Sequence, residues 1–436
     1  KKHPPKPMFL LMISVFLAGI VLIAMEDKIG VNKSAVALVM SVTLWVIASL
    51  GGVDVYGENG FVEQLGDVSE TLFFVMGALV IVELVDVHGG FRIISDRIKT
   101  TNKRYLLYQI SILTFLLSAF LDNIATGVIM IALLRKFIPT QKERWIYASM
   151  VIIAANAGGA FSPVGDVTTI LLWTGGNLTP LHQVSHLLLP AFVSMVIPML
   201  IISRTFTKGD HLEGDVPIRI ENANLPEISK RSRIVILVLG VSTMILVPVF
   251  QNWSNLPPFM RVMLGMAFMW IYTDLMYGRN ETMPEENKLR VGNILSRIDM
   301  STIMFFLGVL LSVAALKVSG QLNVVGAFFE SSISDPLGIS FVIGLMSAFV
   351  DNVALVAATQ GMYPVSEMGV YAMNSEFWTF LAYCAVTGGS LLIIGSATGV
   401  TVMGMEKISF MYYLKRFSLI ALIGYLAGAG VFLLIA

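Results

Sequence analysis

The sequence predicts an all-α polytopic membrane protein that consists of two inverted-topology repeats. Each repeat is predicted to have five crossings, one re-entrant hairpin and one discontinuous helix. Three observations lead to this prediction: an apolar composition, an internal repeat, and two apolar stretches whose lengths fit neither one crossing nor two.

The composition indicates that the solvent of this chain is the lipid bilayer. Of its 436 residues, 56% are hydrophobic and only 13% are charged, which is more apolar than a soluble domain of this size requires. About 20 residues span the hydrocarbon core, and ten apolar runs reach that length. They begin near Met8, Ser34, Glu70, Trp145, Gln183, Ile234, Pro258, Ser301, Phe377 and Tyr412.

Charge and cysteine content exclude several classes of partner. The formal net charge is zero, so nothing indicates a nucleic-acid partner. A single cysteine, Cys384, excludes a disulfide framework and a thiolate zinc site.

The internal repeat relates the two halves of the chain. Residues 118–123 read SAFLDN, and residues 347–352 read SAFVDN. The glycine-rich stretches 156–169 and 387–400 match at nearly the same spacing, and such constancy indicates a duplication. We therefore predict a first repeat over residues 1–206, a linker over residues 207–231 and a second repeat over residues 232–436.

Two apolar stretches have the length typical of re-entrant hairpins. The 30 residues between Arg104 and Arg135 are too many for one crossing and too few for two, which need about 40. Basic residues flank both ends of this stretch, whereas acidic residues flank its equivalent in the second half, so the two hairpins are predicted to enter from opposite faces. The predicted hairpins are 105–134 and 336–361.

One discontinuous helix is predicted in each half. The segments NAGGAFSPVG and TGGSLLIIG interrupt the apolar spans 145–174 and 377–403. Glycines and Pro163 free backbone carbonyls within the membrane, which is tolerated only where the backbone lines a cavity. Discontinuous helices at matching positions of inverted halves are typical of a transporter's binding site.

The distribution of basic residues predicts the orientation of the chain. Five crossings per half make the second half inverted, and 22 of the 29 lysines and arginines then fall in five segments of one face. The positive-inside rule makes this face the cytoplasm, where the linker 207–231 is expected to lie. The N-terminus and the C-terminus are both expected outside. A helix or cleaved signal preceding Lys1 would reconcile its basic N-terminus with this rule.

Side chains at the tips and at the breaks offer ligands for a small cation. An ionised aspartate at the centre of a membrane helix costs roughly 2.5–3.5 kcal/mol, so Asp122 and Asp351 are expected to face a cavity. Carboxylate, amide and hydroxyl oxygens suit a hard cation. The predicted ligands are Ser118, Asp122, Asn123, Thr126, Asn156, Asp166, Thr168, Thr169, Ser347, Asp351, Asn352, Thr387, Ser390 and Thr398.

Protons and the cation are predicted to compete for the same carboxylates: Asp122, Asp351 and Asp166. Glu83, inside an apolar span, is a further candidate for proton coupling. Competition at a shared site is the simplest coupling of cation export to proton import, and it predicts a secondary transporter rather than an enzyme. No cofactor is expected beyond the transported ions. The alternative for each aspartate is helix capping.

The segments SAFLDNIATGVIM, NAGGAFSPVGDVTTILLW and SAFVDNVALVA resemble the NhaD-type sodium/proton antiporters of the ion transporter superfamily. The resemblance implies a homodimer in the bacterial inner membrane that exchanges internal Na⁺ or Li⁺ for external H⁺. It assigns polar roles to Ser118, Asp122, Asn123, Asn156, Asp166, Thr168, Thr169, Ser347, Asp351, Asn352 and Ser390.

Other functions remain as alternatives. Dicarboxylate carriers of the same superfamily carry Ser-Asn-Thr at the tips, from which the Asp-Asn pairs depart. An arsenite or antimonite efflux permease would need softer ligands than the lone Cys384 offers. An intramembrane aspartyl protease would use two aspartates as a proton-sharing dyad, but the repeat and the paired breaks favour transport.

Overall fold

The computed structural model describes residues 6–53, 55–57, 60–90, 100–206, 211, 229–249, 256–278 and 288–436. These residues form helices joined by short turns, and no β-strand longer than an isolated bridge occurs among them. Most of the predicted linker 207–231 lies outside the described residues, and its prediction is not tested.

The first half of the chain contributes nine helices within the described ranges. They are α1 (Lys6–Ala24), α2 (Glu26–Ile29), α3 (Lys33–Leu50), α4 (Phe61–Val87), α5 (Lys103–Ser118), α6 (Asn123–Phe137), α7 (Gln141–Phe161), α8 (Val167–Thr174) and α9 (Pro180–Ser203).

The described residues of the second half contribute eleven more. They are α10 (Lys230–Val249), α11 (Pro258–Gly278), α12 (Val291–Leu295), α13 (Met300–Val318), α14 (Gln321–Ser332), α15 (Pro336–Met346), α16 (Asn352–Met362), α17 (Glu376–Gly388), α18 (Ala397–Glu406), α19 (Phe410–Tyr413) and α20 (Leu419–Ile435), with one π-helical turn, Leu414–Ser418, between the last two.

Several of these helices are long and apolar enough to cross a membrane. In the described part of the chain, six helical segments meet this criterion: Lys33–Leu50, Phe61–Val87, Pro180–Ser203, Pro258–Gly278, Met300–Val318 and Phe410–Ile435. The prediction of an all-helical polytopic membrane protein is therefore confirmed.

Both stretches predicted as hairpins form two helices that meet at a short turn. α5 ends at Ser118 and α6 begins at Asn123, whereas α15 and α16 are separated by residues 347–351. The first pair begins two residues earlier than predicted, because the Asn102 side chain caps α5 by accepting from the backbone N–H of Arg104 at 3.1 Å. Their entry from opposite faces stays a prediction.

Helical structure is interrupted at both glycine-rich segments. α7 stops at Phe161 and α8 starts at Val167, while α17 stops at Gly388 and α18 starts at Ala397. The longer first part of each pair lies at the centre of the molecule: α7 is buried from Tyr147 to its end, and α17 is buried from Phe377 to its end.

Equivalent serines tie each helix pair to its neighbouring broken helix. The Ser118 hydroxyl donates to the Ala155 carbonyl at 2.7 Å, and the Ser347 hydroxyl donates to the Ala385 carbonyl at 2.6 Å. The same contact therefore recurs in both copies of the repeated sequence.

Equivalent glycines bring the same elements into backbone contact. A Cβ atom at Gly158 would lie 2.3 Å from the carbonyl oxygen of Phe115, and one at Gly388 would lie 2.1 Å from that of Gly344. Real Cβ contacts are never so short, so both positions require glycine for helices to approach this closely.

The second helix of each pair also packs against the opposite half of the chain. α6 contacts α18, and α16 contacts α8. These crossed contacts bring both turns and both helix breaks to one place inside the molecule.

A buried ion-pair cluster closes one end of this arrangement. The Glu406 side chain, fully buried at the end of α18, accepts from Arg135 Nε at 2.7 Å and from Arg144 Nε at 3.0 Å. The Glu406 carbonyl accepts from Gln141 Nε2 and Trp145 Nε1, both at 2.9 Å. One residue of the second half thus holds the α6–α7 connection of the first.

We expect Glu406→Gln to lower the free energy of unfolding by about 1–3 kcal/mol. Breaking a buried ion pair leaves its partners uncompensated, although Arg135 is 47% exposed and can be rehydrated. Chemical unfolding of the purified protein in detergent measures the change. Asp274→Asn is the control, because Asp274 is 46% exposed and lies 3.8 Å from Arg290. Equal effects of the two substitutions would contradict a stabilising role for the cluster.

Candidate functional site

Asp166 lies at the centre of a buried polar cluster. It is the N-cap residue of α8 and is only 2% exposed. Its Oδ1 accepts from the backbone N–H of Thr168 at 2.7 Å, and its carbonyl accepts from the Thr169 hydroxyl at 2.8 Å. Asp166 therefore caps α8, but capping occupies only part of its carboxylate.

Amides from both helix-pair turns converge on this carboxylate. Asn123 Nδ2 donates to Asp166 Oδ2, and Asn352 Nδ2 lies 3.4 Å from both carboxylate oxygens. Both asparagines are buried and begin the second helix of their pair. The repeated Asp-Asn sequence therefore delivers two amides to one acid.

Asn156 extends the cluster to the second helix break. Its Oδ1 accepts from Asn123 Nδ2 at 3.2 Å, and its Nδ2 donates to the hydroxyls of Ser390 at 2.9 Å and Ser396 at 3.0 Å. Ser396 is the repeat equivalent of Asp166 and was absent from the predicted ligands. The Ser396 hydroxyl caps α18 by accepting from the backbone N–H of Gly399 at 3.1 Å. A serine just after the glycine-rich break, where a new helix starts, was the signal that could have identified it.

Four oxygen atoms of the predicted ligands are buried without a hydrogen-bond partner among the described residues. They are Asp122 Oδ1, Thr126 Oγ1, Thr168 Oγ1 and Thr398 Oγ1. A buried polar atom left unpaired costs roughly 1–3 kcal/mol, so such atoms call for an explanation. All four are hard oxygen atoms of the kind that coordinate small cations.

The two turn aspartates do not join the cluster through hydrogen bonds in the described structure. Asp351 Oδ1 accepts from the backbone N–H of Val353 at 3.0 Å and caps α16. Asp122 occupies the equivalent N-cap position of α6, but its side chain makes no capping bond. The two aspartates line separate pockets, Asp122 with Glu83 and Asp351 with Lys33.

Besides Thr169, three more predicted ligands bind the backbone. Ser118 and Ser347 tie the helix pairs to the broken helices, and Thr387 donates to the Tyr383 carbonyl at 2.5 Å within α17. In the arrangement described, their hydroxyl protons are used for helix contacts.

The site is poor in charged ligands. Over the described ranges, no three His, Cys, Asp or Glu side chains are grouped closely enough to hold a metal ion. An ion in the cluster would therefore be bound by one or two carboxylates together with neutral oxygens. Such a set suits a monovalent cation better than a divalent or a soft one.

Comparison with known proteins agrees with the motifs. Residues 20–380 match a family model described as citrate transporter. Sodium/proton antiporter 1 of Arabidopsis thaliana is 39% identical over 425 residues, which cover 97% of this chain and 71% of the relative. Na⁺/H⁺ antiporter NhaD of Halomonas elongata is 30% identical over 458 residues, which cover 97% of this chain and 88% of the relative.

A third relative, Na⁺/H⁺ antiporter NhaD of Vibrio cholerae, is 26% identical over 463 residues, which cover 97% of this chain and 90% of the relative. The match extends over the helix-pair turns and both helix breaks, where the polar cluster lies. The chain is a member of the family whose model is described as citrate transporter and, within it, belongs to the NhaD-type sodium/proton antiporters.

Proposed function

We propose that this protein is a secondary active antiporter that exports Na⁺, and also Li⁺, in exchange for H⁺. The observation that carries the proposal is the buried Asp166 carboxylate, which amides from both halves of the chain approach. The relatives named sodium/proton antiporters support the choice of ions.

Coupling follows from the charge of the buried acid. An ionised carboxylate in a low-dielectric interior needs a positive partner, and either a proton or Na⁺ can supply that charge. A protonated Asp166 has lost the negative charge that attracts the cation, so the two ions exclude each other. Asp122, whose Oδ1 is unpaired, is the second carboxylate of this exchange, and Asp351 is the third.

Neutral oxygens complete the proposed cation site. An asparagine amide can present either its oxygen or its N–H groups. Asn123, Asn156 and Asn352 can therefore coordinate a bound cation through oxygen and donate hydrogen bonds when the site is empty. The unpaired hydroxyl oxygens of Thr126, Thr168 and Thr398 are additional ligands in the proposal.

We further propose that the two repeats are inverted in the membrane and that the pairs α5–α6 and α15–α16 are re-entrant. The equivalent serine and glycine contacts of both copies support this arrangement. Such repeats exchange access between two faces by moving around a fixed central site. The homodimer and the outward location of both termini belong to the same proposal.

The bacterial inner membrane is the proposed location. The relatives from Halomonas and Vibrio support it. Two relatives from Arabidopsis thaliana have higher identities, 39% and 38%. A plant membrane that carries a proton gradient is therefore the alternative location.

The structure disfavours the other functions. A dicarboxylate would meet the Asp166 carboxylate at the centre of the cluster, and like charges repel strongly there. Cys384 is fully buried within α17 and is not among the residues that bond to Asp166. The aspartates of a protease dyad share one proton, whereas Asp122 and Asp351 line separate pockets.

The proposal is tested with everted vesicles that contain the protein and a pH-sensitive dye. We expect Na⁺ and Li⁺ to move protons out of the acidified lumen, and malate and arsenite to have no effect. A response to malate but not to Na⁺ would overturn the proposal in favour of a carboxylate carrier.

We expect Asp166→Asn to raise the apparent KM for Na⁺ at least about tenfold or to abolish exchange, because it removes the charge that both ions require. Ser396→Ala is the matched control at the repeat-equivalent position, where a neutral hydroxyl accepts from Asn156. Its effect should be smaller. Equal effects of the two substitutions would show that Asp166 only caps α8.

We expect Asp122→Asn to abolish Na⁺-driven proton movement, since it replaces a carboxylate whose Oδ1 is buried and unpaired by a neutral amide. Asp335→Asn is the control, because Asp335 also occupies a helix N-cap, accepting from Leu337 N at 3.2 Å, but does so at an exposed site. Dye assays on equal amounts of membrane-inserted protein compare the two. Near-normal exchange by Asp122→Asn would exclude Asp122 from the transport site.

We expect the apparent KM for Na⁺ to rise as pH falls, while the saturating rate changes less. One competing proton gives about a tenfold rise per pH unit in the acidic range, and coupled acids give a steeper rise. Initial rates at several Na⁺ concentrations and pH values supply the measurement. A KM that stays constant over about three pH units would require separate sites for the two ions.

A further inference from the structure

Asp122 lines a pocket that is rich in acidic side chains. The pocket is also lined by Glu83, Asp86, Asp299 and Arg297. Apart from Asp122 itself, the lining therefore carries three carboxylates and one guanidinium. Asp122 Oδ1, buried without a hydrogen-bond partner in the described part of the protein, belongs to the same lining.

Asp351 lines a different pocket with a different charge balance. Besides Asp351, its charged residues are Glu26 and Lys33. The Lys33 ammonium lies 4.8 Å from the centroid of the Phe305 ring, and its backbone N–H donates to Glu26 Oε1 at 3.0 Å. These contacts position Lys33 in the pocket that Asp351 lines.

One charged residue of each pocket lies near the start of α13: Lys33 of the Asp351 pocket and Asp299 of the Asp122 pocket. Both chain neighbours of Lys33 contact Ser301. The Ser34 hydroxyl donates to the Ser301 carbonyl at 2.6 Å, and the Ser301 hydroxyl donates to Asn32 Oδ1 at 3.1 Å. Ser301 stands between Asp299 and Thr302, which line the Asp122 pocket. Lys33 and Asp299 therefore lie on the same face of the protein.

Charge decides which ion enters such pockets. A cleft lined by one sign of charge raises the local concentration of counter-ions. The Asp122 pocket attracts cations, whereas in the Asp351 pocket the ammonium of Lys33 balances Glu26 and lies where an entering cation would be repelled.

We propose that cations reach the polar cluster from this face through the Asp122 pocket, and that Lys33 excludes them from the Asp351 pocket. The inference rests on the proposed cation–proton exchange. It assigns entry to one of the two repeat-equivalent aspartates, and it makes Lys33 a specificity-determining residue.

Single cysteines report the electrostatic potential of each pocket. Ala125 and Ala397, each partly exposed, line the Asp122 and the Asp351 pocket respectively. Ala125→Cys and Ala397→Cys are labelled in oriented vesicles with a cationic and an anionic methanethiosulfonate of similar size. The unsubstituted chain, whose only cysteine is buried, gives the baseline. Val128→Cys and Val400→Cys are second positions in the same pockets.

We expect the ratio of cationic to anionic labelling rates to be higher at residue 125 than at residue 397. Lys33→Gln should raise the ratio at residue 397 by about three- to tenfold, the effect of one unit charge at short range, and should leave residue 125 unchanged. Lys33→Arg should preserve the original ratio. Saturating Na⁺ should slow labelling at residue 125 only.

Equal ratios at the two positions, or a ratio at residue 397 that Lys33→Gln does not change, would overturn the proposal. Labelling of residue 125 only from the opposite face would also overturn it. Failure of the proposed function looks different: the labelling ratios would remain as expected, but Na⁺ would protect neither cysteine.

Discussion

A carboxylate buried inside a membrane protein is the constraint from which the rest of this structure follows. Water cannot reach Asp166 to stabilise its charge, so the protein has to supply donors or a cation. It supplies Thr168 N–H, the Asn123 amide and, at longer distance, the Asn352 amide. Each of these is neutral, so the charge itself is left for a transported ion to balance.

The interrupted helices allow neutral hydrogen-bond donors to reach Asp166. An unbroken helix satisfies its own backbone groups and offers only side chains to its surroundings. At Asp166 and Ser396 the chain instead starts a new helix inside the molecule, so N-cap side chains face the cluster. The turns of the two helix pairs reach the same place because α6 and α16 each pack against the opposite half.

Asymmetry between the repeats gives the site its chemistry. Equivalent positions carry Asp166 in one half and Ser396 in the other, so one buried charge is shared by two nearly equivalent sets of neutral groups. The flanking aspartates occupy equivalent positions of the repeated motif but differ in their surroundings, with Glu83 beside Asp122 and Lys33 beside Asp351. Equivalent positions of the two copies thus share their packing contacts but differ in charge.

The helical class, the repeat, the breaks and most polar residues of the cluster could be predicted from the sequence alone, because apolar length and repeated motifs are local signals. The sequence also indicated that Asp122 and Asp351 would share the central role. The contacts that place Asp166 at the centre of the cluster, that join Ser118 and Ser347 to backbone carbonyls, and that pair Glu406 with two arginines became visible only in the folded protein. These contacts join residues far apart in the chain, as Arg135 joins Glu406, and crossed packing of helices creates such proximity without leaving a pattern along the sequence.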